Sequence, residues 1–390
     1  MGLGTGSPKR LLLYSPVAFY KPVYTVFDIL CREYGLRGYV ITYDKTPIFN
    51  VYSPGGYITP ESAGLDQAPE FASLIPYDSP PSAKKALFRR KLEEIRPSYV
   101  WGHAEPTDPF INELLRRSYF RREPLIAVHA NENLFRDAYR PVRYYRLRRR
   151  ILWRRYTHII ACATKSMISI RSFGMPESVP ITVGWLMIQD PPPATAERPN
   201  FLPRKNPGDV FVGFAGRVTA AKGWHILLAA LIQLPPPFKC LIAGTGDDEA
   251  LLRLWCSSPQ FRDRVYFLGA LPKDTLWSFY RALDIFVLPS LTTPSWTEQF
   301  GAVLAEAMAC GVAVIGSDSG AIPEVIGEAG LVVPEQNPTA LAEAIHRLGS
   351  SAELRRSLGE RGTCRFQKEF TCHAYARRLA DGFGLRRVAE

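Results

Sequence analysis

The stretch PSWTEQFGAVLAEAM, residues 294–308, shows how this chain is built. It follows an apolar run, Asp284–Pro289, that predicts a buried parallel strand. Gly301 then opens a helical pattern that ends at Gly311. The order of strand, loop and helix is the repeating unit of an α/β fold.

Two carboxylates flank the start of the predicted helix. Glu298 lies in the loop before it, and Glu306 lies on its second turn. At about 100° per residue, the helix brings Glu306 back towards the side of the loop, so both carboxylates face one crevice. The amides at the helix start, from Gly301 to Val303, have no helical partner and can bind an anion between them. A phosphate with sugar hydroxyls on both sides suits this arrangement.

The spacing of the two glutamates also fits a simpler structure without a ligand. Glu298 then stabilises the positive end of a capped helix, and Glu306 lies on a solvated face. Two glutamates at this separation are common, so the wider sequence has to decide between the two interpretations.

The wider sequence favours the ligand site. The segments EQFG (298–301), EAMACG (306–311) and VIGSDSG (314–320) together resemble the signature of retaining glycosyltransferases of family four, which have the GT-B fold. The resemblance is strong from about Val210 to Leu348 and looser before that. It implies transfer of a sugar from a nucleoside diphosphate sugar, most often a UDP-sugar such as UDP-glucose, to an acceptor hydroxyl with retention at the anomeric carbon. The nucleotide sugar is a co-substrate, and no cofactor is implied.

The composition is that of a folded protein with excess positive charge. Hydrophobic residues make up 46% of the 390 residues and charged residues 22%, which excludes a disordered chain and allows two domains. The net charge of +11 favours an anionic partner, which could be a nucleotide, a lipid surface or nucleic acid. The seven cysteines include no Cys-x-x-Cys pair, which favours reduced thiols in a cytoplasm over a zinc site or a disulfide framework.

Strands and helices alternate along the chain, which predicts doubly wound parallel sheets. Pro16 breaks the first apolar run too early for a signal peptide, so Arg10–Tyr14 is predicted as a strand. A proline-rich linker at 189–208 divides the chain. The predicted organisation is an acceptor-binding Rossmann-like domain at 1–188, a nucleotide-sugar-binding Rossmann-like domain at 209–365 and a C-terminal helix at 366–390. In the GT-B fold the two domains face each other across a cleft, and that helix returns to the first domain.

The glycine-rich loop at 216–223 carries two positive charges after a predicted strand. Arg217 can bind two phosphate oxygens through its planar guanidinium, and Lys222 adds a second cation. An exposed basic loop would have the same sequence. By the resemblance, both residues hold the diphosphate as it leaves, so that no metal is needed.

The resemblance also assigns the remaining contacts with the donor. Glu306 binds the ribose hydroxyls, and Glu298 binds those of the transferred sugar and counts with Arg217 and Lys222 as catalytic. Two glycine turns flank the base, although each alone is weak evidence. The predicted donor-binding residues are Gly216, Gly244, Leu268, Leu271, Gln299, Phe300, Gly301, Ala302, Val303 and Glu306.

In the first domain, His129 is the catalytic candidate. It follows a predicted strand at the place where the family often has a histidine near the transferred sugar, and it would orient or polarise that sugar. A buried histidine with satisfied hydrogen bonds is the alternative. His103 and Glu132 are weaker candidates. The family often has a Gly-Gly loop where this chain has Pro16–Tyr20, so acceptor contacts there are not assigned.

An arginine-rich stretch follows His129. Residues 138–176 contain no Asp or Glu, and arginines alternate with aromatic residues between 140 and 156. Such a pattern suits an anionic bilayer, where each cation contributes about 1 kcal/mol, but a solvated basic helix fits equally well. RNA binding is a third possibility, without a recognised motif. The predicted membrane or acceptor patch comprises Arg143, Arg146, Arg150, Trp153 and Arg154.

The predicted function is a metal-independent, retaining hexosyltransferase. Its acceptor would be a lipid-linked or growing saccharide in cell-surface polysaccharide or glycolipid synthesis. The protein would then be cytoplasmic, peripheral at the inner face of the cell membrane, and would bind no nucleic acid. A sugar-phosphate synthase or phosphorylase on the same fold is the alternative enzyme. A non-catalytic nucleotide-sugar-binding protein at the membrane is the alternative outside catalysis.

Overall fold

A computed structural model of the chain describes residues 8–15, 21–43, 46–47, 57–58, 72–104, 106, 108–118, 120, 123–130, 151–194 and 199–388. The chain divides at Met187–Ile188 and at Thr371–Cys372 into two compact units. The segment after Thr371 belongs to the first unit. Each unit is therefore built from its own sheet and its own helices.

Strands and helices occur in both units. The strands of the first unit are β1 (Arg10–Ser15), β2 (Arg37–Tyr43), β3 (Thr46–Pro47), β4 (Tyr57–Ile58), β5 (Ala72–Ile75), β6 (Tyr99–Gly102), β7 (Leu125–Ala130), β8 (His158–Ala161) and β9 (Ile181–Val183). Those of the second unit are β10 (Val210–Ala215), β11 (Phe238–Ala243), β12 (Val265–Gly269), β13 (Ile285–Leu288), β14 (Ala313–Ser317) and β15 (Gly330–Val333). The helices are α1 (Lys21–Glu33), α2 (Pro81–Ile95), α3 (Pro109–Ser118), α4 (Thr164–Ser172), α5 (Trp224–Ile232), α6 (Glu249–Ser257), α7 (Lys273–Arg281), α8 (Ala302–Ala309), α9 (Ile322–Ile326), α10 (Pro338–Gly349), α11 (Ala352–Glu369) and α12 (Cys372–Phe383).

The first unit has a seven-stranded parallel sheet in the order β5-β2-β1-β6-β7-β8-β9. Strand β1 shows how both faces are covered. Leu11 and Leu13 are buried in a cluster with residues of α1 and α12, whereas Leu12 and Tyr14 are buried with residues of α2 and α3. A parallel sheet with helices on both faces needs apolar side chains at successive positions, which explains the continuous apolar run.

The second unit has a six-stranded parallel sheet in the order β12-β11-β10-β13-β14-β15. From β10 the chain proceeds outwards through β11 to β12, and then returns to place β13 on the other side of β10. The loops after β10 and β13 therefore leave the sheet in opposite directions. Ligands of open α/β sheets bind at such a switch point, at the carboxyl ends of the strands.

The C-terminal segment differs from the single helix expected at 366–390. The chain turns at Phe370 and Thr371, between α11 and α12. The carbonyl of Phe370 accepts a hydrogen bond from the amide of Ile188 (2.8 Å), and the ring of Phe370 is fully buried, so α11 ends there. The last helix, α12, belongs to the first unit, as predicted.

In the described part of the chain, none of the helices combines the length and the apolar character that crossing a bilayer requires.

Candidate functional site

The predicted donor-site residues gather at the carboxyl edge of the second sheet. They lie at or after the ends of four strands, and the sheet order places the loops after β10 and β13 side by side. The positions are Gly216, Arg217 and Lys222 after β10, Gly244 after β11, Leu268 and Leu271 at the end of β12, and Glu298 and Gln299 after β13.

An ion pair connects the two loops at the switch point. The ammonium of Lys222 donates to Oε2 of Glu298 at 2.6 Å, and only 15% and 8% of these side chains are exposed. The hydroxyl of Ser290 donates to the same oxygen at 2.8 Å. The ammonium also lies 4.8 Å from the ring centre of Trp296, within the range of a cation–π contact. A buried carboxylate and a partly buried cation are thus held ready for charged or hydroxyl-bearing ligands.

Glycines bring these loops into contact. Gly223 has φ +71°, and a Cβ there would lie 1.8 Å from the carbonyl oxygen of Pro289. Gly320 has φ +58°, and its Cβ would lie 1.9 Å from the carbonyl oxygen of Glu298. The amide of Ala321 donates to that oxygen at 3.0 Å. The loops therefore touch through their backbones, which fixes Lys222 beside Glu298.

A second close contact between backbones fixes the loop that carries Arg217. A Cβ on Gly244 would lie 1.8 Å from the carbonyl oxygen of Gly216, and both glycines have positive φ, +137° and +150°. This close packing explains why both positions are glycine. The contact of the two glycines with a donor stays a prediction. The side chain of Arg217 is exposed and makes no hydrogen bond or ion pair within the described residues. Its guanidinium is available to an anion.

The start of α8 provides the predicted amides. Gly301 precedes the helix with φ +82°, and the amide of Leu304 turns back to the carbonyl of Gly301 (2.9 Å). The amides of Ala302 and Val303 are then the ones that the helix itself does not use. Phe300 is buried against Phe370, with ring centres 5.6 Å apart, and therefore anchors the loop rather than offering its ring to a ligand.

Glu306 is buried on α8, which contradicts the interpretation that it lies on a solvated face. It is 5% exposed. The hydroxyl of Tyr280 donates to its Oε2 at 2.7 Å, and the ammonium of Lys273 contacts its Oε1. Sequence reasoning missed both partners, because they lie on α7, far from Glu306 in the chain. Each predicted carboxylate is thus paired with a lysine.

His129 lies in the first unit, buried at the end of β7. Its Nδ1 is 2.7 Å from the hydroxyl of Tyr375 on α12, a partner that the sequence did not indicate. Burial raises the pKa of Tyr375, so its hydroxyl keeps its proton. The ring of His103 stacks at 5.7 Å from that of His129, and burial lowers the pKa of His103 to about 3. His103 is therefore neutral near neutral pH. Glu132 lies outside the described residues.

One residue of the predicted membrane or acceptor patch, Trp153, is not at the surface. Trp153 is 1% exposed and packs in the core on the α2 and α3 side of the first sheet, so its ring cannot meet a membrane. The guanidinium of Arg155 donates to the carbonyls of Ser118 (2.8 Å) and Pro124 (2.9 Å). Arg154 is exposed, as the patch requires. Arg143, Arg146 and Arg150 lie outside the described residues. The sequence pattern could not separate the buried tryptophan from interfacial ones.

Comparison with known proteins gives a family match over the second unit. Residues 198–365 match the family described as Glycosyl transferases group 1. Spore coat protein SA of Bacillus subtilis (strain 168) is 34% identical over 196 residues, which is 47% of each chain. A D-inositol 3-phosphate glycosyltransferase of Corynebacterium jeikeium (strain K411) is 32% identical over 161 residues, 38% of this chain and 37% of that one. The chain thus spans less than half the length of these relatives.

A solved structure extends the likeness to the whole fold. The crystal structure of Anabaena HepE in complex with UDP superposes with a TM-score of 0.69 at 17% identity, over 96% of this chain and 99% of that one. This confirms the predicted α/β fold with two doubly wound domains of the GT-B type. At such low identity the likeness concerns the fold alone.

Proposed function

We propose, from the premise that residues 198–365 of this chain are a glycosyl transferases group 1 domain, that the protein is a retaining glycosyltransferase of family four. The observation that carries the proposal is the Lys222–Glu298 pair at the switch point, where one carboxylate oxygen accepts from Lys222 at 2.6 Å and from Ser290 at 2.8 Å. A cation and a carboxylate placed there suit a diphosphate next to a sugar. The second unit would hold the donor, and the first would hold the acceptor.

The donor is a nucleoside diphosphate hexose, with a UDP-sugar such as UDP-glucose as the first choice. Arg217 and Lys222 hold the diphosphate, the amides of Ala302 and Val303 bind its distal phosphate, and Glu298 accepts hydrogen bonds from the sugar hydroxyls. Lys222 must then turn from Glu298 towards the phosphate. The UDP bound by HepE of Anabaena, on the same fold, supports this choice of nucleotide.

The reaction is transfer with attack on the face from which the diphosphate departs. The bond between the anomeric carbon and the phosphate oxygen breaks, and a bond between that carbon and the acceptor oxygen forms. The acceptor proton passes to the departing phosphate oxygen, whose charge is stabilised by Arg217 and Lys222. His129, held by the hydroxyl of Tyr375, is proposed to orient the sugar.

Because two cations and a helix start offset the diphosphate charge, turnover should not depend on a metal. Treatment with EDTA is expected to leave the rate unchanged. Loss of activity with EDTA and its recovery with Mg²⁺ would contradict this assignment of the charges.

The acceptor is proposed to be a lipid-linked or growing saccharide at the inner face of the cell membrane. The lipopolysaccharide core mannosyltransferase LpcC of Rhizobium leguminosarum bv. viciae, 36% identical over 149 residues, supports an acceptor of this class. Exposed Arg154 and the arginines before it would contact anionic lipid. Sedimentation with vesicles containing phosphatidylglycerol, but not with phosphatidylcholine vesicles, is the expected result.

Turnover decides between the proposal and its alternatives. The protein is incubated with each of several UDP-sugars and saccharide acceptors, and the product is examined by NMR. A glycoside with the anomeric configuration of the donor supports the proposal. A phosphorylated sugar or a requirement for inorganic phosphate identifies the synthase or phosphorylase, and donor binding without any turnover identifies a binding protein.

A further inference from the structure

The carboxylate of Glu306 has two oxygens in different surroundings. Oε2 accepts from the hydroxyl of Tyr280 at 2.7 Å, and Tyr280 is fully buried. This bond fixes the orientation of the carboxylate. Oε1 contacts the ammonium of Lys273, whose side chain is 52% exposed. Oε2 is thus bound by a core residue, and Oε1 faces an accessible lysine.

Lys273 is held at that place by a second contact. It is the first residue of α7, just after the β12 loop, and its ammonium lies 5.1 Å from the ring centre of Trp277. The pair with Glu306 is therefore at the carboxyl edge of the sheet, where ligands bind. The Lys239–Asp209 pair of this unit lies instead at the amino ends of β10 and β11, away from that edge.

The chemistry of the pair matches a hydroxyl group. A hydroxyl donates one hydrogen bond and accepts others, a carboxylate only accepts, and an ammonium only donates. Adjacent carboxylate and ammonium groups can therefore satisfy both functions of a hydroxyl, and they can divide a vicinal diol between them. Because their charges cancel, the pair favours a neutral diol over a phosphate.

We propose that Lys273 is a specificity-determining residue that donates to the ribose 2′-hydroxyl of the nucleotide while Glu306 accepts from the diol. Lys273 thereby makes the site select ribonucleotides over 2′-deoxyribonucleotides. This inference rests on the proposed function, since it assumes that a nucleoside diphosphate occupies the edge of the second sheet.

The test compares the dissociation constants of UDP and 2′-deoxy-UDP by calorimetry. A matched control is Lys205→Met, because Lys205 also pairs with a carboxylate, Asp284 (2.6 Å), and also lies over a ring, Phe211 (5.2 Å), but at the amino edge of the sheet. Wild type and Lys205→Met should prefer UDP by about tenfold or more, as expected for hydrogen bonds to charged groups. In Lys273→Met the preference should fall at least about fivefold, with 2′-deoxy-UDP affinity nearly unchanged.

Each outcome has a separate meaning. The ratio is measured within each variant, so a partial loss of folded protein does not change it, and Lys273→Ala should give the same ratio as Lys273→Met. If the preference for UDP persists in both Lys273 variants but disappears in Glu306→Gln, the inference is wrong and the donor site stands. If wild type binds neither nucleotide, the proposed function itself fails.

Discussion

At the scale of single residues, each of the two carboxylates of the site is paired with a lysine. Lys222 neutralises Glu298, and Lys273 neutralises Glu306. Burying a charge without a partner is costly, so each lysine supports its carboxylate. A donor that brings phosphates and hydroxyls would take over these partners. Such an exchange would keep every buried charge of the site compensated.

Lys222→Met should separate catalysis from donor binding. Because the cation acts most strongly on the charge that develops as the diphosphate departs, kcat is expected to fall at least ~100-fold. The dissociation constant of the nucleoside diphosphate should change by less than about tenfold, since Arg217 and the helix amides remain.

Steady-state kinetics and calorimetry check this prediction. Thermal unfolding must accompany them, because the variant leaves Glu298 with Ser290 but without its cation. An unchanged kcat in a folded variant would show that the phosphate does not depend on Lys222.

His103 should make the first unit less stable in acid. Burial, with a smaller contribution from His129, lowers its pKa from 6.5 to about 3. Between these values the unfolded chain binds a proton that the folded chain does not bind. The free energy of unfolding therefore decreases as the pH falls from about 6.5 towards 3, by up to ~1.4 kcal/mol per pH unit.

Urea unfolding of wild type and of His103→Asn between pH 7.5 and 4.5 measures this effect. The buried His158, whose pKa is also lowered by burial, contributes to both proteins and cancels in the comparison. The variant should show the weaker dependence on pH. Parallel curves would rule out His103 as the titrating group.

At the scale of elements, the turns at Gly216 and Gly244 are in close contact. The sequence indicated both turns but not their contact. Gly244→Ala places a Cβ 1.8 Å from the carbonyl oxygen of Gly216, at φ +137°. We expect the free energy of unfolding to decrease by about 3 kcal/mol or more, because the backbone has to move. Gly269→Ala is the matched control: φ is +69°, but no atom lies within 4 Å of the new Cβ. In this variant the free energy of unfolding should decrease only by the conformational cost of a positive φ, about 1–2 kcal/mol.

Thermal unfolding of both variants gives the comparison, and donor affinity gives a second readout. Displacement of the Gly216 loop should weaken donor binding in Gly244→Ala, because Arg217 follows directly. Equal melting temperatures for the two variants would contradict the close packing.

Much of the order of strands and helices along the chain could be predicted from local patterns in the sequence. The apolar runs gave β1, β10 and β13, because fully buried parallel strands leave a continuous signal. Helical spacing singled out Glu298 and Glu306, the resemblance favoured a ligand site there, and the structure places both at the carboxyl edge of the second sheet. Short elements such as α3 and α4 were not predicted. For α3 the signal was present in the sequence, because the apolar residues Phe110, Ile111, Leu114 and Leu115 lie at helical spacing and are buried.

The partners of the site residues could not be predicted, for a physical reason. Tyr280 reaches Glu306, and Tyr375 reaches His129, only after the sheets have been ordered and the helices packed. The end of α11 depends in the same way on a hydrogen bond from Ile188. Trp153 was misassigned because its arginine neighbours dominate the pattern, whereas burial is decided by the core on which it packs.

At the scale of the whole molecule, the last helix completes the first unit. Tyr375, Leu379 and Phe383 of α12 are at most 4% exposed and belong to the same cluster as Leu11 and Leu13. A chain that ends after Thr371 should therefore lose the fold of the first unit while the second unit remains folded.

Limited proteolysis with mass spectrometry measures this outcome, with a chain ending after Leu385 as control. In the shorter chain, cleavage should spread through the first unit and leave a resistant fragment that begins near Ile188. Equal resistance of both units in the two chains would show that α12 is dispensable.

The carboxyl edge of the second sheet is proposed to bind a nucleoside diphosphate sugar. The most direct measurement is calorimetric titration of wild type, Glu306→Ala and the Lys205→Met control with UDP-, GDP- and ADP-sugars. Wild type and Lys205→Met should bind one class of nucleotide sugar selectively, with UDP-sugars expected first, and Glu306→Ala should not. If folded wild type binds none of them, or if Glu306→Ala binds as well as wild type, the edge of this sheet is not the donor site.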